Sequence, residues 1–404
     1  MVARVLIYNL MIIGAMLLAG CSCDDDEALE ASLGTPEAIS FLPTLAPCPA
    51  LYSEQGTLPY SLPYDDEEEG VTRAGQTGIM NSEDLRTTGF GVFASLNASK
   101  TPDMMFNQEV SFTFVGDMDA PMKGYWSYQP IKYWPNGLTS ESNFFISAYA
   151  PYQNQPIADP ETTTGIYGLS ENNESPYIDY RRCEKPEEVV DLLWFYEKPN
   201  SIPAAGTLAM KMHHALARLE INVKLAAEPA AGTKVLIDSI SLTGEMAKTG
   251  RLSLSTQDTV TVGEGLEAVK KFYPKWSDQV SDKDDGDNPI NHDFIIDNTD
   301  NNPLSYGIID SQVRYIKGLP YDWQPEGLTT NPQNALSTGD RKTYVYLIPQ
   351  ESLTLTVLVR YHKMTTSTDD MGVKTTTAAL TTVATPLRGN TTYSLNLTLS
   401  DIKN

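Results

Sequence analysis

From residue 74 onward the sequence is a succession of short segments in which apolar and polar side chains alternate. Gly, Pro, Asn and Asp divide them. Phe90-Gly91-Val92-Phe93-Ala94, Phe112-Thr113-Phe114, Phe144-Phe145-Ile146-Ser147-Ala148-Tyr149 and Asp191-Leu192-Leu193-Trp194-Phe195-Tyr196 are of this kind. So are residues 219–225, 344–348, 353–360 and 393–399. A period of two, carried by β-branched and aromatic residues between turn formers, is the pattern of a half-buried strand. Helical periodicity over ten or more residues is missing, and only 213–218 and 264–271 have any helical character. Many short strands with turn signals predict an all-β chain of antiparallel sandwiches.

Two sandwiches fit the pattern better than one. The first run of strands closes with 219–225, residues 226–232 (Ala226-Ala227-Glu228-Pro229-Ala230-Ala231-Gly232) read as a connector, and a second run opens at 235–240. This predicts an N-terminal domain over 74–228 and a C-terminal domain over 229–404. Residues 277–302, rich in Asp, Asn and Gly, read as a long surface loop. The chain has no short-period repeat of the solenoid or propeller kind.

The N-terminus sets the compartment. Arg4 precedes an apolar run over 5–18 that is shorter than the roughly 20 residues a membrane-crossing helix needs. The run ends in Leu18-Ala19-Gly20-Cys21, which resembles the lipobox of bacterial lipoproteins. Residues 1–20 therefore read as a signal peptide and Cys21 as the lipidated residue, with outer-membrane lipid as the anchor of the precursor. Asp24-Asp25-Asp26-Glu27 comes directly after and is similar to the surface-export signal of Bacteroidetes lipoproteins. The other cysteines, Cys23, Cys48 and Cys183, suit neither a disulfide framework nor a zinc site.

Residues 21–73 differ in texture from the rest of the mature chain. Residues 22–72 hold six prolines and two acidic clusters but no Lys or Arg. That composition predicts an extended tether with little strand character. The first basic residue after the signal peptide is Arg73, in Thr72-Arg73-Ala74-Gly75. Beside glycine and an acidic turn it lies on exposed backbone of the kind proteases cut, although alone it also reads as an ordinary linker residue. The formal charge of −23 argues against nucleic acid or an anionic membrane surface as a partner.

Catalytic constellations are thin. His213 and His214 are adjacent, so on a strand they face opposite sides and form no metal pair. There is no H-E-x-x-H, G-x-S-x-G, Walker loop or dinucleotide fingerprint. Gly89-Phe90-Gly91 lacks a third glycine. Asp282, Asp284, Asp285 and Asp287 around Gly286 resemble a calcium loop only loosely, without the glutamate that closes one. No metal, cofactor or enzymatic activity is expected. Tyr125-Trp126-Ser127-Tyr128 and Tyr133-Trp134-Pro135 suit a sandwich core better than a sugar-stacking platform. The platform leaves a second reading open, that of a surface glycan-binding lipoprotein of a polysaccharide-uptake system.

Several of these blocks resemble a known family. Met104-Met105-Phe106-Asn107, then Trp126-Ser127-Tyr128-Gln129-Pro130-Ile131-Lys132-Tyr133-Trp134-Pro135, then Phe144-Phe145-Ile146-Ser147-Ala148-Tyr149-Ala150-Pro151 resemble, in order, the fimbrillins of Bacteroidetes, the subunits of type V pili. Asp191-Leu192-Leu193-Trp194 and Met212-His213-His214-Ala215-Leu216-Ala217-Arg218-Leu219 continue the series. The resemblance spans roughly 85–225; beyond that only the texture agrees. It implies tandem transthyretin-like antiparallel β-sandwiches, exported as a lipoprotein and working as a fimbrial subunit in pilus assembly and cell adhesion. It also implies cleavage between Arg73 and Ala74 by a trypsin-like protease. Cleavage opens a groove that a strand of the next subunit fills by β-augmentation. The implied partners are other fimbrial subunits and a host or bacterial surface ligand. Beyond 393–399 there remain only Ser400-Asp401-Ile402-Lys403-Asn404, too few for a spare strand, which predicts a tip or tip-proximal subunit.

Overall fold

The computed structural model describes residues 37–46, 50–52, 60–62, 80, 82–96, 104–115, 124–183, 189–262, 268–281, 291–295, 308–309, 314–316, 336–337, 344–365, 369–383 and 386–399. Among the described residues three strands precede residue 73: β1 (Ser40–Leu45), β2 (Ala50–Tyr52) and β3 (Tyr60–Leu62). A short helix, α1 (Ser82–Thr88), leads into β4 (Phe90–Leu96), β5 (Met105–Phe114), β6 (Gly124–Ser127) and β7 (Phe144–Ala150). Then come β8 (Gly165–Leu169), β9 (Tyr177–Arg181), β10 (Leu193–Glu197), β11 (Thr207–His214) and β12 (Ala217–Leu225). The later strands begin with β13 (Thr233–Gly244), β14 (Ala247–Val262), β15 (Val269–Ser281), β16 (Asn291–Ile295) and β17 (Ile308–Ile309). They end with β18 (Arg314–Ile316), β19 (Leu336–Ser337), β20 (Tyr344–Leu347), β21 (Leu353–Thr365), β22 (Asp369–Val383) and β23 (Thr391–Leu399). The chain is all-β, and most strand pairs are antiparallel.

The first sheet has the order β1-β11-β10-β7-β4-β5-β6. Every side chain of β7 and nearly all of β4 is buried, because both faces of this sheet are covered. One face carries Phe90, Val92, Phe144 and Ile146 into a core shared with Ile39, Phe41 and Met210. The other carries Phe93, Tyr149 and Trp194 against Ile178, Tyr180 and Leu252 of the sheet β15-β14-β9-β8, and against Tyr346 and Ile348. Uninterrupted apolar runs such as Phe144-Phe145-Ile146 result from that double cover.

A third core lies between the sheet β19-β18-β12-β23-β2-β3 and the sheet β16-β13-β21-β22. Leu219, Ile221 and Val223 of β12 and Leu395 and Leu397 of β23 meet Val357 and Val359 of β21 there. The strand expected to close the first half thus belongs to the second. β12 lies parallel to β23 over nine residue pairs, from Ala217↔Thr391 to Leu225↔Leu399, and antiparallel to β20. The chain changes sheet at Ala215-Leu216 rather than at the 226–232 connector.

Two other local expectations fail. Residues 213–218 are not helical: Leu208, Met210, Met212 and His214 are buried at every second position, the signature of β11, and β12 begins at Ala217. Within 277–302, Ser277–Ser281 extend β15 and Asn291–Ile295 form β16, so the segment is not one loop. Residues 264–267 lie outside the described residues, while Val269–Lys271 are strand. Among the described residues no helix is long and apolar enough to cross a membrane.

Candidate functional site

The segment expected to be a featureless tether supplies the outermost strand of the first sheet. β1 lies parallel to β11, in register from Ser40↔Thr207 to Leu45↔Met212. Its odd-numbered side chains turn inward. Ile39 and Phe41 are buried in the core, and Phe41 packs at 6.0 Å from the Phe90 ring and 5.6 Å from the Tyr128 ring. Leu42, on the opposite face, is 56% exposed.

Proline argues against a strand here, and the main-chain directions remove that objection. The Ile39 N–H donates away from β11, to the Lys132 carbonyl at 2.9 Å, whereas the Ala46 N–H donates toward it, to the Met212 carbonyl at 2.7 Å. Alternation then puts the nitrogen of Pro43 on the side away from β11, where the missing N–H costs no ladder bond.

The leader is held from both sides. Ala38 bridges Tyr133, and the Trp134 N–H donates to the Glu37 carbonyl at 2.9 Å. The Tyr128 hydroxyl donates to the Ile39 carbonyl at 2.9 Å, and Ser40 Oγ and Thr207 Oγ1 share a bond of 2.7 Å. Gly206 makes the close approach possible: at φ +63°, a Cβ there would collide with the Ala38 carbonyl oxygen. β2 continues the leader alongside β23, parallel, from Ala50↔Thr392 to Tyr52↔Ser394. Residues ahead of 73 therefore cover edges of both the first and the third core.

A buried polar junction stands at the far end of β11. His214 Nδ1 lies 2.6 Å from Asp191 Oδ2, and the same oxygen accepts the Met80 N–H at 3.0 Å. Burial pushes the Asp191 carboxyl up, but His214, the Met80 N–H and Arg218 together hold it below the usual carboxylate range. The His214 N–H reaches Asn390 Oδ1 at 3.3 Å, and Arg218 Nε donates to Thr392 Oγ1 at 2.9 Å. The wall that receives the leader is thereby tied both to the chain just after residue 73 and to the start of β23. The paired blocks around Asp191 and His214 were visible in the sequence, but their contact was not.

Cys21, Arg73, Ala74 and the aspartates at 282–287 lie outside the described residues. Trp134 is buried, with its indole N–H on the Gly206 carbonyl, and Trp126 is half-buried against Phe90 and Phe112. Tyr125 and Tyr133 are the exposed members of those clusters. Among the described residues no group of three His, Cys, Asp or Glu could hold a metal ion.

The architecture defines the class as an all-β sheet protein whose edge is closed by a strand from its own N-terminal segment. The model of the fimbrillin-like family matches residues 72–286, more than half of the chain, and the chain belongs to that family. It is similar to a fimbrial protein from Bacteroides vulgatus ATCC 8482 (20% identity, 79% of this chain and 91% of that one, TM-score 0.45). It is also similar to candidate cell-adhesion proteins from Bacteroides uniformis ATCC 8492 (10% identity, 86% and 99% covered, TM-score 0.34) and Bacteroides ovatus ATCC 8483 (11%, 89% and 94%, TM-score 0.35). No curated protein matches it.

Proposed function

We propose that this chain is a fimbrial subunit, exported as a lipoprotein through Cys21, displayed at the cell surface and acting in pilus assembly and adhesion. The observation that carries the reading is β1. A strand ahead of residue 73 fills a groove along β11 that is built from residues beyond 73. Cleavage between Arg73 and Ala74 frees that strand from the body of the chain. Once it leaves, the main chain of β11 is an open edge beside the sites of Ile39 and Phe41, fitted to a strand with apolar residues at alternate positions.

The subunit receives a strand but does not give β23. That strand is paired over its whole length with β12, and Leu395, Leu397 and Leu399 are buried in the third core. Donating it would dismantle that core, which favours a tip or tip-proximal position. N-terminal sequencing of the surface protein, with immunogold labelling of fimbriae, tests this reading. A start at Ala74 and label at filament ends are the expected results. A start at lipidated Cys21 in assembled protein, or label spread along shafts, contradicts it.

A further inference from the structure

Away from the leader, β14 carries a bulge. Leu252 pairs with Trp276 and Gln257 with Pro274, so four residues, 253–256, stand against Lys275 alone. The bulge is a built feature. Ser253 Oγ accepts the N–H groups of Ser255 and Thr256, at 3.3 and 3.2 Å, and the Leu254 N–H donates to the Pro176 carbonyl at 2.8 Å. Together with the turn before β9 it borders an open cleft of about 580 Å³, within the roughly 300–1,000 Å³ range of small-molecule sites.

The lining is hydroxyl-rich and balanced in charge. Ser170, Ser253, Ser255 and Thr256 contribute hydroxyls that both donate and accept, and Arg251 and Lys275 are matched by Glu171 and Glu174. Arg251 is fixed in place: Nε and Nη2 bind both oxygens of Asp179, at 2.7 and 3.0 Å, and the guanidinium lies 3.7 Å from the Tyr177 ring centre. Ser170 is 2% exposed, and its buried Oγ has no hydrogen-bond partner among the described residues. An unanswered hydroxyl in the wall of the cleft offers a partner to a ligand that brings its own hydroxyls. Matched charges disfavour a strongly ionic ligand.

We infer that this cleft binds a neutral oligosaccharide. The inference deepens the adhesive part of the proposed function and rests on it for its biological meaning, but binding is measured on the isolated chain without assembly. The full chain is titrated calorimetrically with a panel of neutral di- and trisaccharides of galactose, mannose, fucose and N-acetylglucosamine. Thr256→Trp, at the exposed rim, should weaken binding at least tenfold. Ser170→Ala should weaken it several-fold while leaving thermal stability unchanged or higher. Tyr125→Ala, on the remote β6, should bind as the unsubstituted chain does. Absence of binding at millimolar saccharide, unchanged affinity in Thr256→Trp, or binding confined to carboxylated sugars would each overturn the inference. Thr256→Trp chains should still enter fimbriae, so failure of assembly and failure of sugar binding remain distinguishable.

Discussion

Phe41 lies opposite Leu208 in a parallel ladder, and both side chains are buried in one core although residue 73 separates them along the chain. The segment ahead of residue 73 is in this sense part of the fold.

Phe41→Ala in the uncleaved chain should therefore behave as a core truncation. A loss of about 3–5 kcal/mol is expected, read from urea unfolding of the full chain. Leu42→Ala, one residue on and facing outward, should change stability by no more than about 0.5 kcal/mol. Equal effects of the two substitutions would mean that β1 is not seated as described.

Gly206 makes a sharper test, because its constraint has two sources. Its positive φ disfavours any side chain, and a Cβ would also meet the Ala38 carbonyl of the leader. Gly206→Ala should destabilise the uncleaved chain more than the chain freed of its leader, where only the backbone strain remains. Thermal melting of both forms measures the difference, and an equal loss in the two removes Ala38 from the account.

The junction at the end of β11 should make stability depend on pH in two steps. Burial, with help from Lys211 and His214, lowers the His213 pKa from its ordinary 6.5 to about 4. Asn390 Nδ2 lies 3.4 Å from its Nδ1, a contact suited to the neutral ring. A folded value below the unfolded one means that this contribution is full above about pH 6.5 and is lost as pH falls toward 4. Asp191, held below its ordinary 3.8, adds a second loss only beneath that value. His213→Gln should flatten the first step and leave the second, as followed by urea midpoints across the range. A variant that keeps the full slope between 6.5 and 4 would assign the dependence elsewhere.

The strands that the sequence made legible carry β-branched and aromatic residues between turn formers: β12 and β23 by their alternation, β4, β7 and β20 by their short apolar runs. β1 was not legible, although Ile39, Phe41 and Leu45 share a parity, because three prolines within 43–49 outweighed that signal. Whether proline breaks a strand depends on which side its nitrogen faces, and only the partner strand decides that. The pairing of β12 with β23 was hidden for a related reason: a parallel partner more than 150 residues away leaves no local mark. Residues 213–218 looked helical because the adjacent histidines and small residues carry no period at the point where the chain crosses from one sheet to another. The polar junction and the hydroxyl-lined cleft join residues distant in sequence, so composition could not announce them.

The central claim is that the leader occupies an edge that another strand can take. Residue-resolved hydrogen exchange along β11 tests it most directly. By the alternation that sends the Ala215 N–H to Leu192 in front of β10, the main chains of Leu208, Met210 and Met212 face β1 and that of His213 faces β10. After cleavage at Arg73 and removal of the leader, exchange should accelerate at Leu208, Met210 and Met212 while His213 stays protected, and a synthetic peptide of residues 37–46 should restore the lost protection. Unchanged protection at those three amides once the leader is gone, or no recovery with the peptide, would contradict the account.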